Sequence, residues 1–397
     1  MSEMATLDPA TRRVRQGNEM AALRALHRFG RLSRADLARK LGLNRSSSGH
    51  IVAALTQEGL VREVSGEETG RPGANRAGRP GILLELQPDA MFFAGCEIGV
   101  EHVSFVAVDL SARPIASLTR PFDAPAAGVA AAFEAATGLA AECLPAAGWA
   151  RCEGLGIAIP AQMERGGRVR VAPLLGWHDV YPAEIMRPHL PPTLPVVAEN
   201  DANAFAVGDA YGREVARPGV TLALVMETGV GGGIVVDGDL FRGGHGLAGE
   251  IGHLLLPDEG GGMRRFEERV GLEAILSAAR AAGLCGGDAT LEAFLREVGE
   301  RVPRAVAIAE DWARSLAFGL AQACRLIDPD QIVLGGSVAA LYPLVAARVA
   351  AHWREISGDG FPVPAIAVND GPVFGAAFGA ACILHQRFLS AADGLAP

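Results

Sequence analysis

The sequence predicts an α/β protein that carries a small basic winged helix-turn-helix head. Three observations support this. Apolar runs such as F-F-A-G-C-E-I-G-V from Phe92, H-V-S-F-V-A-V-D-L from His102 and G-L-G-I-A-I-P from Gly154 alternate with Ala-rich stretches such as Val129 to Cys143, the strand–helix alternation of an α/β protein. A second strand set follows, P-V-V-A-E-N from Pro195 and T-L-A-L-V-M from Thr221. Ahead of both, residues 1–80 hold 14 Lys and Arg against 8 Asp and Glu, while the remainder holds 22 against 37. A basic head on an acidic protein is suited to a polyanion.

The head reads as three helices and a wing. Asn18 to Phe29 places Met20, Leu23, Leu26 and His27 near one face. Ser33 caps a second helix and, with Asp36, approximates a capping box, and Gly42 ends that helix. Asn44 caps a third helix with Ile51, Val52 and Leu55 facing inward, and Gly59 to Val64 forms a short strand. In a winged helix-turn-helix the third helix enters the major groove. Arg45, Ser46, Ser47, Ser48 and His50 on its first turns are therefore the expected DNA contacts. Arg71, Arg76 and Arg79, on a Gly/Pro-rich wing exit, are expected in the minor groove. A protein-interaction module with a solvated basic face is the alternative.

Composition narrows the remaining classes. The 397 residues suggest two or three domains of about 100–200 residues each. A hydrophobic content of 49% supplies a large core, but no run of about 18 apolar residues predicts a membrane span. The N-terminal stretch lacks the apolar core of a signal peptide. The six cysteines are scattered without a C-x-x-C pair, as in a cytoplasmic protein with reduced thiols. The only lysine is Lys40, so the arginine excess reflects genome composition more than function.

The chemistry concentrates between Glu227 and His253. Thr228, Gly229, Gly231, Gly232 and Gly233 follow the apolar strand Leu222 to Met226, and a hydroxyl beside bare backbone N–H groups can cradle phosphate. A tight β-turn is the alternative. Gly335 and Gly336, after the strand Ile332 to Leu334, offer a second place for backbone to approach a ligand. Glu250 and His253 add polar groups in a glycine-rich loop. Asn200 and Asp201 set an amide beside a carboxylate, which suits vicinal hydroxyls, although Asp201 could equally cap the helix that follows.

These segments resemble the ROK family of repressors, open reading frames and kinases. The matching motifs are E-N-D-A-N-A (Glu199 to Ala204), T-G-V-G-G-G-I-V-x-D-G (Thr228 to Gly238), G-L-A-G-E-I-G-H (Gly246 to His253) and I-V-L-G-G-S (Ile332 to Ser337); A-P-L-L-G-W (Ala172 to Trp177) matches more loosely. The likeness spans residues 82–390. It implies an actin-like ATPase (sugar-kinase-like) body of two α/β lobes. The expected division is a winged head at 14–66, a wing exit and linker at 67–85, a first lobe at 86–199 plus 374–390, and a second lobe at 200–373. It also implies sugar contacts from Asn200, Asp201, Glu250, His253 and Glu268, with Glu267 the alternative to Glu268. In the family's kinases the residue at the Asp201 position is the general base.

Two departures from the family pattern shape the functional expectation. The D-x-G-G-T phosphate loop of ROK kinases reads Glu97-Ile98-Gly99-Val100-Glu101 here. A carboxylate replaces a hydroxyl near the phosphates, and two like charges about 4 Å apart cost on the order of 1 to 4 kcal/mol. ATP is therefore not expected, and Thr228, Gly229, Gly231, Gly335 and Gly336 are read as the remnant of a phosphate site. The family's zinc site needs three cysteines beside the histidine at the His253 position, and no cysteine lies between His253 and Cys285. No zinc is expected, and His253 is as readily a core hydrogen-bonding residue as a ligand contact. The expectation is a cytoplasmic, sugar-controlled transcriptional regulator that binds operator DNA as a homodimer or dimer of dimers, with a sugar or sugar phosphate as effector. An ATP-dependent sugar kinase with a fused head is the second reading, and a DNA-binding scaffold without ligand the third.

Overall fold

The computed structural model describes residues 9–65, 82–144, 146–212, 219–258, 260–284, 289–358, 360–369 and 375–390. The head contains helices Pro9–Phe29, Arg34–Leu41 and Arg45–Gln57. The second begins at Ser33, whose hydroxyl accepts from the Asp36 N–H at 3.1 Å and donates to the Asp36 carboxylate at 2.7 Å. It ends at Gly42 with φ 64°, a left-handed conformation that costs glycine little. The third begins at Asn44, whose side chain accepts from the Ser47 N–H at 2.8 Å. Leu23, Leu37, Leu55 and Leu84 are essentially inaccessible and form the small core.

The wing corrects the expected boundary at residue 66. Its outgoing strand is Val61–Ser65 and its return strand is Ile82–Leu86, paired antiparallel from Val61↔Leu86 to Ser65↔Ile82. The return strand lies inside the span 67–85 assigned to linker. Burial of Leu84 and Leu86 in the head core is what fixes it there. Glu85 on this strand receives Arg31 at 2.6 Å and Arg62 at 2.7 Å; burial pushes its carboxyl pKa up, but these bonds win and hold it below the usual value. Arg31, Arg34, Arg39 and Arg62 are thus engaged in ion pairs within the head.

The two large sheets of the body, each of five strands, share one strand order, and a three-stranded and a two-stranded sheet flank them. The first runs Val196–Asn200, Cys152–Ile159, Phe92–Ile98, His102–Asp109, Pro114–Pro121. The second runs Ala365–Val368, Gln331–Gly335, Val220–Met226, Val230–Val236, Asp239–Leu240. In each, three consecutive strands form an antiparallel meander, and two later strands add in parallel on the other side of the first. The body is therefore one architecture used twice. Ala124–Cys143 is the one helix among the described residues long and apolar enough to cross a membrane, where none was expected; it buries Phe133, Ala136 and Ala140 in the first-lobe core.

Two helices lie between the lobes. Asp201–Gly212 packs on the second sheet and Ala376–Ser390 on the first, and they cross where Gly208 meets Gly379. A Cβ on Gly379 would stand 1.7 Å from the Ala204 carbonyl oxygen. Beneath Ala376–Ser390, the paired strand residues Gly95 and Gly156 leave room for the Ala377 and Ala380 carbonyls, which a Cβ would approach to 2.0 and 2.2 Å. Gly379→Ala would stabilise an exposed helix by about 1 kcal/mol; here it is expected to destabilise the protein by about 1–3 kcal/mol through overpacking, read as a lower urea midpoint.

Candidate functional site

Asn200 and Asp201 stand where strand Val196–Asn200 passes into helix Asp201–Gly212. The cap of this helix falls to Asn200, whose Oδ1 accepts from the Asn203 N–H at 3.0 Å. Its Nδ2 donates to the Ala161 carbonyl at 3.1 Å and to Asp201 Oδ1 at 3.0 Å. Asp201 is thereby oriented without being the cap. Burial, the Glu97 carboxylate and, more weakly, Glu250 push its pKa from the ordinary 3.8 up to about 7. Arg242 reaches from the second lobe to Glu199 Oε2 at 2.9 Å and ties this junction across the lobes.

Glu250 caps the short turn Ile251–His253, which carries His253, with His253 Nε2 3.6 Å from Glu250 Oε2. Burial raises the Glu250 pKa, opposed by His253 and by a hydrogen bond from Gln162. Glu267, near enough to Glu250 to raise its pKa further, has a carboxylate oxygen 3.9 Å from the Cβ position of Gly229. Asp201, His253 and Glu267 therefore each lie near Glu250. Glu268 is not among them: it is exposed and accepts from the Arg265 N–H at 3.0 Å, because its neighbour on the short helix Glu267–Val270 takes the inward face.

The phosphate remnant is rearranged. Gly231 serves packing, since a Cβ there would lie 2.7 Å from the Ala202 Cβ. Gly335 makes room for the Phe205 ring, which a Cβ would approach to 2.2 Å, and Gly336, at φ 83°, passes over the Met226 backbone. Gly335 is therefore not a ligand cradle. Gly229 lies under Leu174 of the A-P-L-L-G-W loop, 3.0 Å from its Cβ position, and Thr228 is exposed. The free groups after Gly336 are taken by Glu227, whose carboxylate accepts from the Ser337 N–H at 2.6 Å and from the Ser337 hydroxyl. Sequence reasoning missed this pair, which is 110 residues apart.

The first loop is filled as well. Glu97-Ile98-Gly99-Val100-Glu101 forms a tight hairpin turn closed by the Gly99 N–H to the His102 carbonyl at 2.9 Å. The His102 ring covers Gly99, 2.6 Å from its Cβ position, and its Nε2 is 3.3 Å from Glu97 Oε1. The Glu97 bond raises the His102 pKa against burial, with Glu227 and Glu101 adding to it. His102 is a second residue the sequence did not flag. In the loop that would hold the family's zinc, Leu255–Pro257 pairs with Met263–Arg265, Asp258 binds Arg264 at 2.8 Å and Arg269 at 3.2 Å, and Phe266 is buried against Gly319. His253 is its one histidine and it has no cysteine, so the donors do not fit a tetrahedral zinc.

On the third helix of the head, Arg45, Ser46 and His50 are exposed and Ser47 is half-buried. Ser48 is a correction: it is 2% exposed and turned toward the head core, so it faces away from any groove the helix enters. Arg71, Arg76 and Arg79 lie outside the described residues.

The raised Asp201 pKa has a testable sign. Between about pH 4 and 7 the folded state holds this proton and the unfolded state does not, so the stability it contributes is lost as pH rises through 7. Wild type is expected to lose about 1–2 kcal/mol relative to Asp201→Asn between pH 5 and pH 8, a fraction of full linkage because Glu250, whose own pKa is raised, is coupled to it. Urea denaturation at the two pH values measures this.

Comparison with known proteins assigns this architecture. A winged-helix model described as MarR family matches residues 15–72. Xylose repressors match the chain: that of Caldicellulosiruptor bescii is 26% identical over 60% of this chain and 59% of its own length. That of Bacillus subtilis is 22% identical over 84% of this chain and 85% of its own. The crystal structure of a ROK family transcriptional regulator, a homologue of the E. coli MLC protein, superposes with a TM-score of 0.72 at 20% identity, covering 96% of this chain and 99% of that one. The ROK family model matches residues 93–387, about three quarters of the sequence, and the chain belongs to the ROK family.

Proposed function

We propose that this chain is a sugar-responsive transcriptional repressor whose body has no kinase activity, takes neither ATP nor zinc, and dimerises to set two heads on operator DNA. The observation that carries the proposal is a joint between head and body. Helix Asp201–Gly212 holds Asp201 at one end and Tyr211 near the other, about 15 Å away. At that far end Tyr211 meets His27 of the first head helix, ring centroids 5.3 Å apart, and His385 of the C-terminal helix at 5.6 Å. His27 also stacks near His385 at 4.7 Å, and His385 Nε2 is fixed on the Leu110 carbonyl at 2.9 Å. One rigid helix thus touches the effector cleft and the DNA-binding head. Burial lowers the pKa of both histidines, that of His385 to about 3, so the joint is held by neutral rings.

In this proposal Asp201, Glu250, His253 and Glu267 accept and donate to sugar hydroxyls, with Asn200 orienting Asp201. Phosphoryl transfer is opposed because Glu227 occupies Ser337, His102 covers Gly99 and Glu97 adds charge. The relatives' name, xylose repressor, supports a sugar effector and a repressing sign. Arg45, Ser46, Ser47 and His50 reach the groove. A tenfold loss of operator affinity on sugar binding requires about 1.4 kcal/mol of differential affinity between the two states.

Two outcomes test this. Arg45→Ala is expected to weaken operator binding at least fivefold at 100 mM salt and to flatten the salt dependence, measured by fluorescence anisotropy. Tyr211→Ala is expected to keep sugar binding by calorimetry and to lose most of the sugar-dependent change in operator affinity. Hexose- or pentose-dependent ATP hydrolysis by the wild type, or indifference of operator binding to every sugar tried, overturns the proposal.

A further inference from the structure

We propose that Gly49 is a specificity-determining position of the third head helix, where a base edge in the operator's major groove takes the space a Cβ would fill; this rests on the reading that the third helix enters the groove. Gly49 is the fifth residue of the 13-residue helix Arg45–Gln57. Glycine inside a helix is a poorer helix former than alanine, because it loses more backbone freedom on folding. In body helices packing explains that cost: a Cβ on Gly319 would meet the Phe266 ring at 2.5 Å, and one on Gly379 the Ala204 carbonyl oxygen at 1.7 Å. At Gly49, nothing beyond its own helix backbone and chain neighbours lies within 4 Å of the Cβ position. Its φ is not positive either, so the backbone conformation does not call for glycine. The protein itself gives no reason for the missing side chain.

The surroundings of Gly49 face outward. Residues three and four apart share a helix face, so Gly49 lies beside Arg45 and Ser46 one turn before it and Ala53 one turn after it, with His50 next in sequence. These four are exposed, whereas Ser48, Ile51, Val52 and Leu55 of the same helix are buried. Among the described residues the side chains of Arg45 and His50 form no hydrogen bond or ion pair, while Arg31, Arg34, Arg39 and Arg62 of the head are all engaged. Gly17 of the first head helix and Gly138 of Ala124–Cys143 also have an open Cβ position, so openness alone assigns no role. At Gly49 it coincides with a free guanidinium and a free imidazole on the face that meets the groove. Bare backbone there lets the helix come closer to the base pairs and brings Arg45 and His50 within reach of base edges. A Cβ would hold the helix off the bases while leaving contacts to the flanking phosphates in place.

The test uses the full-length protein and a duplex selected by it from a random DNA library. Gly49→Ala is expected to raise the urea midpoint, as alanine does at an open helix site. It is nevertheless expected to bind the selected duplex about tenfold or more weakly at 100 mM salt, read by fluorescence anisotropy. Affinity for an unrelated duplex is expected to change less than about twofold and the salt dependence to keep its slope, because both are set by phosphates. Gly138→Ala is the control, with a similar rise in midpoint and operator affinity within about twofold of wild type. A fresh selection with Gly49→Ala is expected to lose base preference at one or two positions of the site. Unchanged operator affinity in a stabilised Gly49→Ala, or equal weakening on selected and unrelated duplexes, overturns the inference while leaving the head a DNA reader. A lowered urea midpoint shows that the Cβ meets the protein itself, and overturns it too. Failure of the wild type to select any duplex overturns both the inference and the reading on which it rests.

Discussion

The close approach of helices Asp201–Gly212 and Ala376–Ser390 is the constraint on which the rest of the molecule depends. Each helix packs on a different sheet, and they cross where Gly208 faces Gly379 with backbone nearly touching backbone. The paired glycines Gly95 and Gly156 lower the C-terminal helix onto its sheet in the same way. Contacts made through backbone and alanine leave little rotamer freedom, so displacement at one end of these helices is not absorbed along them. One end of this assembly positions Asp201 in the cleft, and the other positions Tyr211 and His385 against His27. This assembly joins the cleft to the head through one packed core.

The cleft keeps the framework of a nucleotide site and fills it from within. A carboxylate held by a backbone N–H and a hydroxyl is the arrangement such a loop offers a phosphate, and Glu227 supplies it to Ser337 from the same chain. His102 lies on Gly99 where an open loop needs bare backbone. The consequence is electrostatic as well as steric. Glu97, Glu101 and Glu227 all act on His102, and burial, then Glu97 and more weakly Glu250, push the Asp201 pKa up to about 7. A general base for phosphoryl transfer needs a proton acceptor opposite a bound phosphate; Asp201 is placed as an acceptor, while Glu227 and His102 lie over the two loops.

The legible parts of the sequence were those whose physics is local. Ser33 with Asp36, Gly42 and Asn44 punctuate the head as capping rules require, and Ile51 and Leu55 fall on the buried face their spacing indicates. The helix-opening pair Asn200-Asp201 was legible as a cluster, but which side chain caps depended on the Asn203 N–H and the Ala161 carbonyl. Non-local relations were not legible. The wing's return strand Ile82–Leu86 reads as the end of a Gly/Pro linker until Val61–Ser65 pairs with it. Glu267 and Glu268 are adjacent on one turn and face opposite ways. Gly231 and Gly335 look like ligand-cradling glycines because the absent Cβ that admits a phosphate equally admits Ala202 or the Phe205 ring. Glycine content reports close approach, not what approaches.

The remaining question is why a joint of neutral aromatic rings suits a sensor. Burial lowers the pKa of His27 and brings that of His385 down to about 3. Edge contacts between rings at 4.7 to 5.6 Å are also individually weak, about 0.5–1.5 kcal/mol beyond their burial. A switch needs that modesty. If the head were bound to the body by much more than the differential affinity of the effector, no sugar could move it, because a ligand shifts an equilibrium only by the difference in its affinity for the two states. The rings lie within one apolar cluster that joins buried head residues such as Leu23 and Leu26 to Phe93 and Leu110 of the body, so the effector must act on more than the rings alone.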